Sequence, residues 1–227
     1  PQRCVFSYPE RTAFIMEGNN IHIFKNGRRI NTIGGLGFDH SNFNKLSDIA
    51  IAPDGNLLAL DSFQKKIKKF DKDGKWITEF ELVNFVGPTL FEITSNETFY
   101  IYDDNRKEIV TTRTFEENDF YSFGKFQLVN PRSLNLAKNI VLVYDLVEAK
   151  TIVFDRLGQF QEELDGKVQF DRRQKYKLEK YFFQHLTSSK KFAVTSFQWL
   201  DFLIDNGFLI LLSNHEIWIC TIDYEIK

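Results

Sequence analysis

Asp61, Asp103 and Asp145 stand 42 residues apart, each closing a short apolar run: LLALD, TFYIYD and IVLVYD. Carboxylates do acid–base work when two of them reach one substrate and one is held protonated. A spacing of one whole repeat argues for a different use. Equivalent positions of successive repeats lie at the same level of different structural units. An aspartate at a strand end accepts hydrogen bonds from backbone N–H groups of the turn that follows. These three are therefore expected to hold turns rather than to form a catalytic cluster.

The elements that carry them are short strands. Leu46 to Phe80 reads LSDIAIAPDGNLLALDSFQKKIKKFDKDGKWITEF, an apolar–polar alternation broken at Pro53-Asp54-Gly55 and at Asp71-Lys72-Asp73-Gly74. Both breaks are turn chemistry, and the period of two predicts antiparallel strands at 47–52, 57–61, 66–71 and 76–82. The unit recurs. Phe70-Asp71 with Gly74 returns as Phe154-Asp155 with Gly158, and Thr112-Arg113 holds the intermediate position, where the strand persists without its turn. Upstream, CVFSY, TAFIME, NIHIFKNG and Arg29 to Ile33 supply a first copy, so four copies cover residues 1–166.

A four-stranded sheet this small cannot cover both of its faces, and stacking copies about an axis does so. The predicted fold is all-β: one β-propeller domain over residues 1–227, with blades of four antiparallel strands at about 1–40, 41–83, 84–126, 127–166 and 167–227. Five blades are expected, with six as the alternative. The last segment has two registers. In one, WLDFLID opens the blade, GFLILLSNHEIWICTID supplies its second and third strands, and 167–198 is an insertion or a decayed copy. In the other, YFFQHLTSS opens it, KFAVTSF, WLDFLID and FLILLSN follow, and IWICTID is an additional closing strand. Residues 171–187 admit either a short helix, with Leu178, Phe182, His185 and Leu186 along one face, or a decorated strand connection.

Composition agrees with this reading. Hydrophobic residues make up 43% and charged residues 26% of the chain, which excludes a disordered protein. Twenty-four phenylalanines against one methionine suit pleated surfaces. The 29 basic residues are balanced by 31 acidic ones, so the global charge of a dedicated nucleic-acid binder is missing. No apolar run approaches the roughly 18 residues of a membrane-spanning helix. No leader is legible at Pro1, and the compartment is left open, with an exported (secreted or periplasmic) protein favoured.

The stretch Ile33-Gly34-Gly35-Leu36-Gly37-Phe38, followed by Leu46 to Ala52, Pro53-Asp54-Gly55-Asn56, Asp61-Ser62 and Ile67 to Gly74, resembles the NHL-repeat β-propeller family. The match is close in the second copy, fair in the third and fourth, and weak beyond residue 166. Members usually have six blades. The resemblance implies a rigid scaffold that presents loops, and some relatives bind RNA or are zinc-dependent amidating lyases. Other propellers are glycoside hydrolases, which need two carboxylates about 5–10 Å apart. Here the innermost strands align Ala50, Glu92 and Asn135, with Asp48 near a strand start, so only one of the three aligned positions is a carboxylate. Zinc requires three or four converging ligands. His22, His40, His185 and His215 fall at unequal repeat positions, so no metal and no cofactor is expected. Lys65, Lys66, Lys68, Lys69, Lys72 and Lys75 crowd one third strand, where lysines commonly keep an outer edge soluble. A second basic group, Arg172, Arg173, Lys175, Lys177 and Lys180, is interleaved with Tyr176 and Tyr181.

The expected function is non-catalytic binding of a protein, peptide or glycan on the loop face, with an enzyme at the central channel (glycoside hydrolase or metal-dependent lyase) as the alternative. Phe43, Phe63, Arg106 and Arg132 are the expected binding residues, because exposed phenylalanine and arginine in polar loops make interaction surfaces. The competing expectation for Phe43 is burial between blades, as for Phe85. Cys4 and Cys220 lie in the first and last plausible strands. If the first strand completes the last blade, a disulfide becomes feasible, worth on the order of 4–5 kcal/mol over so long a loop. Otherwise both are ordinary core thiols.

Overall fold

The computed structural model describes residues 2–7, 11–116, 119–171, 174–179, 182–193, 199–205, 207–213 and 217–222. The fold is all-β, a β-propeller of six blades. The chain divides into two compact units, Gln2–Val129 and Asn130–Lys227.

The first unit holds three four-stranded antiparallel sheets, each a meander in chain order. They are β1 (Arg3–Ser7), β2 (Thr12–Glu17), β3 (Asn20–Lys25) and β4 (Arg28–Gly34); β5 (Leu46–Ile51), β6 (Leu57–Asp61), β7 (Lys66–Phe70) and β8 (Trp76–Glu81); and β9 (Pro88–Ile93), β10 (Phe99–Asp103), β11 (Glu108–Thr112) and β12 (Tyr121–Phe123). The second unit holds β13 (Pro131–Ala137), β14 (Ile140–Asp145), β15 (Lys150–Asp155) and β16 (Phe160–Asp165), then β17 (Val168–Asp171), β18 (Gln174–Leu178), β19 (Phe182–His185) and β20 (Lys191–Ala193). Its last sheet is β21 (Trp199–Asp205), β22 (Phe208–Ser213) and β23 (Ile217–Thr221), three strands among the described residues. No helix among the described residues is long and apolar enough to cross a membrane.

The second strand of a blade is covered on both faces, which explains its unbroken apolar composition. Every residue of β6 and of β10 is buried. Alternation along β6 then divides its side chains between two neighbours: Leu57 and Ala59 join Phe14, Ile21, Ile23 and Ile33 of the first sheet, while Leu58 and Leu60 join Phe91, Phe99 and Ile101 of the third. A slip of one residue would exchange the two sets, so the register is strongly specified. Outermost strands are different. β4 and β8 are largely exposed and carry the polar residues.

Buried polar side chains splice neighbouring inner strands. In the first unit, Asp48 of β5 accepts the Phe91 N–H of β9 at 3.0 Å. In the second, Gln169 of β17 donates to the Phe202 carbonyl at 2.6 Å and accepts the Ile204 N–H at 3.0 Å, both on β21. Tyr176 and Phe183 then pack with Phe202, Ile204, Leu209 and Leu211.

One expectation is corrected and the open alternatives are resolved. Residues 167–227 hold two sheets, not one, because 168–193 compresses a blade into strands of three to five residues. Of the two alternatives for 167–198, an insertion or a decayed copy, the second fits: the segment forms a blade of its own. The register opening with WLDFLID holds for the last sheet. The helical option at 171–187 gives way to a hairpin in which Tyr176 faces His185 and Leu178 faces Phe183, so the apparent helical period is cross-strand pairing. Finally, β1 pairs with β2 as an edge of the first sheet. Neither Cys4, buried in β1, nor Cys220, half-buried in β23, is in a disulfide.

Candidate functional site

In a meander blade, the turn between second and third strands and the connection to the next blade share one end of the sheet. The other two turns share the opposite end. The first of these is called the loop end below.

Asp61, Asp103 and Asp145 close β6, β10 and β14 with no exposed surface. Asp61 Oδ2 accepts the Asn44 N–H at 2.7 Å, and its Oδ1 accepts those of Phe63 and Gln64 at 3.1 and 3.0 Å. Asp103 does the same for Val86 (2.7 Å), Asn105 (3.1 Å) and Arg106 (3.2 Å). Asp145 does so for Asn130 (2.7 Å), Val147 (3.0 Å) and Glu148 (3.3 Å). Each carboxylate ties an incoming connection to an outgoing turn. The three occupy three separate sheets and form no acid–base pair.

The longest loop-end connection in the first unit, 35–45, is held from both sides. Gly34 has φ of 111°, and a Cβ there would lie 2.2 Å from the Asn19 carbonyl oxygen, so only glycine fits. Gly35 N–H donates to that oxygen at 2.8 Å, and Phe43 N–H donates to the Gly35 carbonyl at 2.9 Å. Lys68, on β7, is fully buried and donates to the carbonyls of Asp39 (3.0 Å) and Asn42 (2.6 Å). Burial pushes its ammonium pKa down, against the opposing pull of Asp61, Glu79 and Asp39. Its Nζ also lies 5.3 Å from the centre of the Phe43 ring.

That packing corrects the expectation for Phe43. It has no exposed surface and wedges against Phe70, ring centres 6.0 Å apart. An aromatic ring clamped beneath a buried lysine cannot meet a partner. The connection instead presents Leu36 (80% exposed) and Phe38 (74%), which sequence reasoning did not select. The available signal was two bulky apolar residues set among Gly34, Gly35 and Gly37, with no periodic strand to bury them.

Phe63 is 66% exposed in the β6–β7 turn. Arg106, in the β10–β11 turn, lies beside a pocket of about 490 Å3 that also involves Lys65, Val83, Phe85, Val86 and Phe120. Its Nη2 donates to the Asn84 carbonyl at 2.8 Å, and its Nε is 3.9 Å from Asp103. Phe120 meets Phe85 edge-on at 5.8 Å. Arg132 belongs to the second unit, exposed on β13.

Elsewhere the chemistry-bearing side chains have local partners. On the inner strands, buried Arg3 lies 3.3 Å from Asp48 and 3.6 Å from Glu92, the carboxylates considered for glycoside hydrolysis. His22 contacts Thr32 and Glu17, His40 packs at a tilt against the Trp76 ring and faces Glu79, and His185 contacts Gln174 and Ser188. His215 lies outside the described residues, as do Arg172, Arg173, Lys180 and Tyr181. Among the described residues no group of three metal-ligating side chains gathers. In the basic strand, Lys66 pairs with Glu79 and Lys69 with Asp54. Lys68 is interior rather than the solvated edge residue expected.

The class these features define is the β-propeller, and solved structures agree. Virginiamycin B lyase from Staphylococcus aureus superposes with a TM-score of 0.64 at 14% identity, over 95% of this chain and 78% of that one. Hydrazine synthase from Kuenenia stuttgartiensis gives 0.63 at 12%, over 98% and 77%. A nidogen–laminin complex gives 0.62 at 16%, over 83% and 76%. At such identities the likeness is one of fold. No protein-family model matches the chain, and no curated protein matches its sequence.

Proposed function

We propose that this propeller is a non-catalytic binding scaffold of NHL-like type that takes a protein or peptide, or secondarily a glycan, on its loop end. One observation carries the reading. In Gln2–Val129 the loop-end segments expose Leu36, Phe38, Phe63, Val83, Val86, Phe126 and Val129, whereas toward the opposite end the large exposed hydrophobics are Ile30, Ile77 and Tyr121, single residues at the starts of outer strands. Scattered exposed apolar residues need no explanation, but a one-sided set on stiffened loops fits an interaction surface. Exposed aliphatic side chains suit a protein or peptide better than a sugar. The NHL-like element of the reading rests on the Gly34-Gly35 connection and the second-blade motifs.

The nidogen–laminin complex pairs a propeller-like chain with a protein partner, which is in keeping with this reading. The enzyme alternative has virginiamycin B lyase as a neighbour of the same fold, but Arg3 between Asp48 and Glu92 suits joining of inner strands better than proton donation.

The test compares the immobilised wild-type protein with a Leu36→Ser/Phe38→Ser/Phe63→Ser variant and a far-end Asp54→Ser/Lys75→Ser variant. A specific partner should be captured by the wild type and the far-end variant and lost from the loop-end variant. Equal capture by all three would overturn the reading.

A further inference from the structure

We infer that the pocket between the second and third sheets receives a bulky apolar side chain of a peptide whose neighbouring Asp or Glu residues pair with Lys65 and Arg106. This inference rests on the binding-scaffold reading and specifies its chemistry. The pocket, at about 490 Å3, falls within the common range for ligand sites, about 300–1,000 Å3. Val83, Phe85, Val86 and Phe120 give it an apolar wall, with the Phe85–Phe120 contact fixing one side.

Its charge is one-sided. Lys65 arrives from the β6–β7 turn and Arg106 from the β10–β11 turn, and no carboxylate lines the pocket. Lys65 has no ion-pair partner among the described residues. The anion nearest Arg106, Asp103, already accepts the N–H groups of Val86, Gly87, Asn105 and Arg106. Arg106 is meanwhile anchored through Nη2 to the Asn84 carbonyl, which orients the guanidinium before any ligand arrives.

These properties select the occupant. A purely apolar ligand would desolvate two cations without pairing them. A small anion would leave the apolar wall uncovered. An apolar residue with adjacent side-chain carboxylates satisfies both. The exposed surface continues past the pocket through Phe63, in the same turn as Lys65, so the matching ligand is an extended chain rather than a small acid.

Fluorescence anisotropy with a labelled, end-blocked peptide Ser-Glu-Phe-Glu-Ser tests the inference, because all of its negative charge is on side chains. Saturable binding is expected at low ionic strength. Replacing both Glu by Gln, or Phe by Ala, should weaken it about tenfold or more, and 0.5 M salt should weaken it similarly. Lys65→Gln and Arg106→Gln should each cost about fivefold or more, with Arg106→Lys recovering part of the loss and far-end Lys75→Gln without effect. Thermal melts establish that each variant is folded. Equal binding of the Gln peptide, indifference to both pocket substitutions, or no saturable binding at millimolar peptide would each overturn the inference. If partner capture still depends on Leu36, Phe38 and Phe63 in that event, only the pocket chemistry fails and the scaffold reading stands.

Discussion

Aspartates hold turns at both ends of the sheets, but they do so in different surroundings. At the loop end, Asp61 and Asp103 are sealed from water and satisfy N–H groups on two separate segments. At the far end, half-buried Asp71 accepts the N–H groups of Asp73 (3.0 Å) and Lys75 (2.8 Å) within its own turn, and Asp155 accepts those of Leu157 and Gln159, both at 2.9 Å, and the Gln161 side-chain amide at 3.4 Å. Water can replace an exposed turn carboxylate, whereas a buried donor that loses its acceptor bears the full desolvation cost. The end that exposes apolar side chains is therefore the more firmly braced one. A partner meeting it would find much of its geometry already set.

The sharpest way to break this comparison is to remove one aspartate from each end. Asp61→Ala is expected to cost about 3–5 kcal/mol in denaturant unfolding, since several buried N–H groups lose their acceptor together. Asp71→Ala should cost about 0.5–1 kcal/mol. Equal losses would show that burial does not separate the two ends.

Next comes the aromatic wedge. Phe43→Ala should cost about 3–4 kcal/mol through the cavity left against Phe70 and Lys68. A loss under about 1 kcal/mol would mean that the connection holds without its wedge.

The smallest effect concerns acid. Asp119, in the far-end turn after β11, has its pKa lowered to about 2 by the backbone N–H groups of Thr114 and Arg113, aided by the hydroxyls of Thr112 and Thr114. Its folded pKa lies below the unfolded value of about 3.9, so its stabilisation is complete above that pH and is lost as the pH falls toward 2. Wild type should melt higher than Asp119→Asn at pH 5, and the gap should close on acidification. A gap that persists at pH 2 would remove the carboxylate from this role.

Legibility in the sequence follows the same division. The second to fourth blades could be read because Asp61, Asp103 and Asp145 punctuate their second strands, and the first followed by matching its strands upstream. Beyond residue 166 that punctuation stops: the second strands end in Leu178 and Ser213, and the strands shorten. A length estimate based on 42 residues per blade then undercounts. The place of Arg106 in a loop-end turn was legible from the repeat, but the pocket beside it was not. Nor was the burial of Phe43, because its cover comes from Lys68 and Phe70 on a different strand. The pocket escaped notice for a related reason, since Lys65, Val83, Phe120 and Arg106 converge from four separate segments.

Lys68 offers a clock built from ordinary amine chemistry. Its nitrogen is closed off by the Asp39 and Asn42 carbonyls and by the Phe43 ring, so an acylating reagent reaches it only when the 35–45 connection swings away. The labelling rate of Lys68, set against that of exposed Lys75, counts those excursions in the untagged protein. A partner seated on Leu36 and Phe38 would slow the clock without ever touching the lysine.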